Sequence, residues 1–489
     1  MSRVPFSAAR LPHPRQQAVA HALGVFRVAP RPVTRFLGAV LQLDRVNAVT
    51  TSLSEKALGK WAGRPYHGGM SESPEMNVLD VEWCRLQFPA LARLTEGQPA
   101  VYFDGPAGSQ VPQRVIDAMV DYLARMNANH GGRFETSRES DALLEEAHQG
   151  VADFVGTSDP GTVVFGPNMT SLTFALSRSL GRTWSPGDEI VVSRLEHDAN
   201  VTPWVLAARD AGATVRHVDF RPDDCTLDLD DLAGKLTSRT RLVAVGCASN
   251  AVGTVNPMDE IVRLAHDAGA LVFFDAVHYA PHRLLDVDRW GCDLLACSAY
   301  KFFGPHVGVL WGRRELLEDL PAYKVRPAPN DLPGRWMTGT QNHEGIAGTL
   351  AAVDYLAELG ARAQPGDGDR RRSLAAAYRA IGAYERDLFA ELLAGLAALP
   401  EVTIRGITDP ERWSERVPTV AFTHQRLASR ELAEYLGARG IFVWHGNYYA
   451  LPVTEALGIE PEGMVRVGLL HYNTSEEVER VLAAMRDLG

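Results

Sequence analysis

Of the 49 Lys and Arg residues in this chain only five are lysines, at Lys56, Lys60, Lys235, Lys301 and Lys324. Any chemistry that needs a primary amine must use one of them. Lys235, in a polar helix-to-loop segment, and Lys324, in a Pro-rich loop, read as solvated charges. Lys301 differs: it follows the apolar run Leu294–Cys297 in the sequence Ser298-Ala299-Tyr300-Lys301 and precedes a Phe-Gly-Pro turn. Other apolar runs end in complementary groups. Thr162–Phe165 leads into Gly166-Pro167-Asn168-Met169-Thr170-Ser171, a turn into a helix start whose free N–H groups suit a phosphate, although an ordinary helix cap would look the same. Glu189–Ser193 leads to Glu196-His197, Arg241–Cys247 to Ser249-Asn250, and Leu271–Phe274 to Asp275-Ala276-Val277-His278. Amine, carboxylate, imidazole, amide and phosphate cradle at successive strand ends are the set that pyridoxal phosphate requires. A lysine holds its aldehyde and moves a substrate α-proton, and a carboxylate keeps the pyridine nitrogen protonated. A metal hydrolase built on His197, Asp275, His278 and His282 is the weaker reading, because it leaves Lys301 and the phosphate turn without a task.

Those strand ends need a sheet to present them. Strands are expected at 162–165, 189–193, 214–218, 241–247, 271–274, 294–297 and 307–311, separated mostly by helical patterns. The alternation argues for a mostly parallel sheet covered on both faces, with ligands at the carboxyl ends of its strands. Ahead of it, 77–88 reads as a helix, Ala100–Asp104 as a strand ending in the Gly105–Gln110 loop, and Val111–Asn127 as an amphipathic helix. Near Asn342 the pattern changes to a long helical zone from Glu344 to about Leu399, broken around Pro365–Asp369, then short strands and helices. The expected division is a basic extension over 1–69, an N-terminal segment over 70–113, a large domain over 114–343 and a smaller C-terminal α+β domain over 344–489.

The segments Glu196–Trp204 (EHDANVTPW), Ser249–Pro257 (SNAVGTVNP), Asp275–His278 and Ser298–Gly308 (SAYKFFGPHVG) resemble the class V aminotransferase family, in its cysteine desulfurase and selenocysteine lyase branch. The likeness runs from about Val101 to Gly489. It implies an α/β fold of the PLP-dependent transferase type (fold type I), pyridoxal 5′-phosphate as cofactor, and an amino-acid substrate. By the same resemblance Lys301 is the aldimine lysine, Asp275 the pyridinium partner, His197 the ring-stacking residue and Asn250 the phenolic-oxygen donor. Met169, Thr170, Ser298 and Tyr300 fall where the family holds phosphate; Tyr300 replaces a more usual histidine, and His278 the usual glutamine. The stretch Trp336–Asn342, with Gly339 and Thr340, is similar to the loop that crosses a homodimer to the partner's phosphate. Arg466, in Val465-Arg466-Val467-Gly468, matches the arginine that clamps the substrate carboxylate, a task suited to its planar fork.

In the desulfurases a loop cysteine carries the sulfur away as persulfide. Here the matching stretch is Ile441–Pro452, and Tyr449 occupies the nucleophile's position. A phenol of pKa ~10 is a poor replacement for a thiolate. The expectation is therefore a cysteine desulfurase-like enzyme working through an external aldimine and quinonoid, in C–S or other β-lyase chemistry, its pocket completed by His445, Asn447 and Tyr449. An aminotransferase or epimerase, or a non-catalytic partner protein on the same scaffold, are the alternatives.

Composition bounds these readings. A hydrophobic fraction of 46% with 22% charged residues excludes disordered and disulfide-scaffold classes, and a net charge of −11 disfavours nucleic acid. No apolar run approaches the ~20 residues that span a bilayer. Five scattered cysteines with no CxxC pair point to reduced thiols in a cytoplasmic enzyme. Residues 1–69 hold ten basic residues against Asp44 and Glu55. Three readings of them stand: an organelle-targeting leader, a disordered extension, or a true start at Met70 or Met76.

Overall fold

The computed structural model describes residues 79–366 and 368–488. The expectations for 1–69, Met70 and Met76 lie outside the described residues.

All seven expected strands form, and all join one sheet: β1 (Val163–Gly166), β2 (Glu189–Ser193), β3 (Thr214–Val218), β4 (Thr240–Gly246), β5 (Leu271–Asp275), β6 (Leu294–Ser298) and β7 (Gly308–Gly312), in the order β1-β7-β6-β5-β4-β2-β3. β7 runs antiparallel to β6 and β1; the pairings β2–β3, β2–β4, β4–β5 and β5–β6 are parallel. Every residue of β2, β6 and β7 is buried, so these strands carry apolar side chains on both faces rather than alternating with polar ones. The two-residue period still sorts them. Val191, Val243, Val272, Phe274 and Leu295 point into one core, and Ile190, Val192, Leu242, Phe273 and Leu294 into another on the opposite face.

A smaller four-stranded sheet follows, β8 (Val402–Arg405), β9 (Thr419–His424), β10 (Trp444–Gly446) and β11 (Met464–Gly468), antiparallel throughout in the order β8-β9-β11-β10. Between the sheets run the helices His343–Ala363 and Arg370–Ala397, the latter with its N-terminus capped by Asp369. The C-terminal half of Arg370–Ala397 and the final helix Ser475–Arg486 bury Leu388, Leu392, Val478 and Leu482 in the core under the small sheet. Unexpectedly, the strand near residue 101 belongs with this core. Val101–Tyr102 pairs in parallel with Ile441–Phe442, Asp104 bridges Gly468, and Val101 and Phe103 are wholly buried there. The helix expected over 77–88 is a short one, Val81–Leu86, and the Val111–Asn127 pattern becomes Gln113–Asp121 followed by a wider turn over Tyr122–Met126.

Behind β1 the helix α1 (Met169–Gly181) starts on an Asn168 cap, whose Oδ1 accepts from the Ser171 N–H at 2.9 Å. That start can approach β7 closely only because position 308 lacks a side chain: a Cβ on Gly308 would lie 2.4 Å from the carbonyl carbon of Asn168. Gly308→Ala is therefore expected to cost about 1–3 kcal/mol of stability, seen as a lower denaturation midpoint at unchanged m-value. Wild-type stability in that variant would mean the Asn168 turn is free to move.

Candidate active site

Lys301 ends the short 3₁₀ turn Ala299–Lys301 that continues from β6, and only 9% of it is exposed. Its amine meets no carboxylate. Nζ donates instead to the carbonyls of Pro106, at 2.5 Å, and Ala107, at 2.9 Å, in the Gly105–Gln110 loop. That loop is tied to the lysine turn by Ser109, whose N–H donates to the Tyr300 carbonyl at 3.0 Å and whose Oγ accepts from the Phe303 N–H at 2.8 Å. Burial, with the Arg466 charge adding to it, brings the Lys301 amine down to about 7, against partial support from Asp275 and Asp104.

Around this amine lies a cavity of about 400 Å³. Asp275, at the end of β5, forms one wall. One carboxylate oxygen accepts from the Val277 N–H at 2.9 Å, and burial pushes the group up to about 6. His197, after β2, lines the same cavity. Its Nδ1 accepts from the Ala199 N–H at 3.0 Å, which leaves the proton of the neutral ring on Nε2, and burial holds it down to about 4. Asn250, after β4, donates to the Tyr448 carbonyl at 2.9 Å while its Oδ1 is buried without a partner. The Met169 N–H opening α1 donates to Ser298 Oγ at 2.9 Å, and Met169, Thr170 and Ser298 all line the cavity. Tyr300 lines it too, stacked on His306 at 5.0 Å. His278 also lines the cavity and shares a hydrogen bond of 3.0 Å with Thr419 Oγ1 on β9.

Arg466, on β11, is 3% exposed. Its Nη1 donates to the Asn250 carbonyl at 2.5 Å, its guanidinium lies 4.1 Å from the centre of the Tyr448 ring, and Nε is buried with no acceptor. Burial lowers it to about 10. The result is a buried cation held by a carbonyl and an aromatic face, with no ion-paired acid.

Not every expected residue reaches this cavity: Arg466 does not line it, although it bonds the carbonyl of Asn250, which does. Gly339 and Thr340 lie on an exposed loop, and Thr340 lines a separate cavity with Ser171 and Trp336. His445 is exposed on β10, and Asn447 donates to Glu460 and caps the Tyr449 N–H, so neither side chain lines it. Tyr449 does not line it either: the residue is 73% exposed and its ring stacks on that of His197, which does, at 5.4 Å. Conversely, sequence reasoning passed over three contributors. Asp104 is half-buried near Arg466 and Lys301, its Oδ1 enclosed and unpartnered and its carboxyl pushed up to about 6 by desolvation. Glu196 lines the cavity, bonded to Ser193 and Asn200 and raised to about 7 by burial. The third is the pair of backbone carbonyls holding Lys301. Only Glu196 carried a signal, its place beside His197. Among the described residues no three His, Cys, Asp or Glu side chains are gathered as a metal site would need, and no helix is long and apolar enough to cross a membrane.

The strand order, the antiparallel β7 and the small C-terminal sheet define a fold type I pyridoxal-phosphate enzyme. Residues 101–481 match the family described as Aminotransferase class-V. A cysteine desulfurase of Dickeya dadantii is 33% identical over 420 residues, 83% of this chain and 96% of that relative, and a probable cysteine desulfurase of Halobacterium salinarum is 32% identical over 430 residues, 85% of this chain and 98% of that relative. The apo cysteine desulfurase of Thermococcus onnurineus superposes with a TM-score of 0.74 at 28% identity, over 84% of this chain and 98% of that one. A cysteine desulfurase structure from Escherichia coli gives 0.72 at 26% identity, with the same coverage. The chain belongs to the class V aminotransferase family, as a homologue of its cysteine desulfurases.

The family uses pyridoxal 5′-phosphate, and the cavity fits it. The Asp275 carboxylate, with a single backbone donor, and the free N–H groups that open α1 are the unsatisfied groups that such a ring nitrogen and phosphate would complete.

The depressed Lys301 has a consequence in the apoprotein. Between about 7 and the ordinary 10.5 the unfolded chain binds a proton that the folded chain lacks, so this residue's penalty is full below 7 and is relieved as pH rises through that window. Lys301→Met removes it. The variant's melting temperature relative to wild-type apoprotein is expected to be most favourable near pH 6 and to lose ground steadily toward pH 10; a pH-independent difference would mean that the amine is not desolvated.

Proposed function

We propose that this enzyme acts on an α-amino acid as a C–S or other β-lyase and needs no persulfide-forming cysteine. The observation that carries the reading is the state of its thiols. All five cysteines are buried, and none lines the cavity. Burial raises every one of them, Cys84 to about 12 and Cys225 to about 11, the reverse of what a nucleophilic thiol requires. By the family resemblance the sulfur-accepting position is Tyr449, whose ring stacks on His197, a residue of the cavity wall.

Pyridoxal phosphate, when bound, supplies the electron sink that makes a proton on the substrate α-carbon removable. The remaining work belongs to the chain. Lys301 Nζ, brought down to about 7, is available in neutral form to accept that proton. Asp275 offers the negative charge for the ring nitrogen, and the neutral His197 ring offers a stacking face. Arg466 takes the substrate carboxylate and fixes which bond at the α-carbon faces Lys301. The leaving group departs from the β-carbon with its bonding electrons, and the released enamine hydrolyses to pyruvate and ammonia. A selenide or similar anion leaves unaided, whereas sulfane sulfur of cysteine calls for the absent thiol. In this reading the exposed Gly339–Thr340 loop serves the cavity of a second copy in a homodimer.

An amino-acid screen that scores pyruvate, ammonia, alanine and persulfide separately tests the reaction. Pyruvate with ammonia is expected, abolished by Lys301→Ala. Alanine with enzyme-bound persulfide from cysteine would overturn the proposal, and a stable aminated cofactor with a keto acid would move it to transamination. For the anchor, Arg466→Ala is expected to raise KM at least about tenfold, with a smaller fall in kcat.

A further inference from the structure

A second cavity, of about 490 Å³, opens on the far side of His278. Its walls are the Tyr279–Leu284 segment after β5, the middle of the helix Arg370–Ala397, and the Trp413–Pro418 segment ahead of β9. Two rings divide it from the reaction cavity: His278 lines the one and His282 the other, edge to face at 5.6 Å.

Polar atoms in this wall are left unmatched by the fold. Glu385 is 2% exposed and His282 3%. They pair through Glu385 Oε2 and His282 Nδ1 at 2.9 Å, yet Glu385 Oε1 and His282 Nε2 form no regular hydrogen bond. Arg416, also 3% exposed, spends its Nη groups on the carbonyls of Ile407, Val252 and Thr419 and leaves Nε without an acceptor. Each such group costs about 1–3 kcal/mol when buried unpaired, and all three belong to side chains that line this one cavity. Burial raises the Glu385 carboxyl, with His282 the main counterweight and the His471 N–H a minor one.

The charge and shape of the wall narrow the ligand. Arg283, Arg379, Arg386 and Arg416 line it against the single carboxylate of Glu385, which favours an anion. Phe389 and Trp413, edge to face at 5.6 Å, supply an aromatic side. The volume lies within the range of ordinary small-molecule sites.

We propose that this cavity is a second small-molecule site, separate from the reaction cavity, for a carboxylic acid that carries an N–H or O–H donor beside its carboxylate and an apolar or aromatic side chain. The carboxylate meets the guanidinium wall, the donor meets Glu385 Oε1, and the side chain lies toward Phe389 and Trp413. Amino, acylamino and hydroxy acids share this chemistry.

The probes are L-phenyllactate and N-acetyl-L-phenylalanine, which have no free amine to condense with pyridoxal phosphate. Calorimetric titration of the holoenzyme with either is expected to give one saturable site. Which probe binds distinguishes a hydroxyl from an amide donor. Binding is expected to persist in Lys301→Ala and Arg466→Ala, and to weaken at least tenfold in Glu385→Gln and in Trp413→Ala, each checked for native circular dichroism. Should Glu385→Gln fail to fold, Trp413→Ala, a change in a short surface turn, decides. The proposal is overturned if neither probe binds saturably, if binding survives Trp413→Ala, or if it disappears in Arg466→Ala, which would place the probe in the reaction cavity.

Discussion

An amine enclosed by carbonyls is the constraint around which this molecule is organised. Lys301 is buried with no carboxylate bonded to it, and only the Pro106 and Ala107 carbonyls take its hydrogens. Water would stabilise an ammonium far better, so the amine becomes easy to deprotonate. The residues around it are consistent with that purpose. Asp275, Asp104 and Glu196 are raised by burial while His197 and Arg466 are lowered by it, so one desolvated pocket moves acids and bases toward neutrality together.

Sheet geometry explains why so many such groups converge. Parallel strands end at one edge, and in this chain β2, β4, β5 and β6 each release a chemically distinct residue there. The antiparallel β7 brings Gly308 against the start of α1, so that helix end and the lysine turn share a base. The small sheet contributes from the other side, through Arg466 on β11 and the Thr419 bond to His278.

Much of this was legible in the residues. The seven strands of the large sheet are short apolar or β-branched runs bounded by turn formers, and each was placed within a residue or two, because a strand buried on both faces tolerates little else. The chemistry at their ends was legible for the same reason. What stayed hidden depends on long-range pairing. Nothing local says that Val101–Tyr102 docks on Ile441–Phe442, and so nothing local says that Asp104 lies near Arg466. Backbone carbonyls have no letter of their own, which conceals the partners of Lys301. His445 and Asn447 sit in the right stretch, but β10 is an exposed strand and Asn447 spends its amide on a local turn.

The docking of Val101–Tyr102 on Ile441–Phe442, with Asp104 bridging Gly468, also sets an order in time. A ribosome releases the Gly105–Gln110 loop early, yet the strands that hold its leading end in place are made some 340 residues later. Until they emerge, the amine of Lys301 has no fixed lid and stays in contact with water. The pocket is thus completed only when synthesis is nearly finished, and a chain truncated before residue 440 would expose a lysine of ordinary basicity.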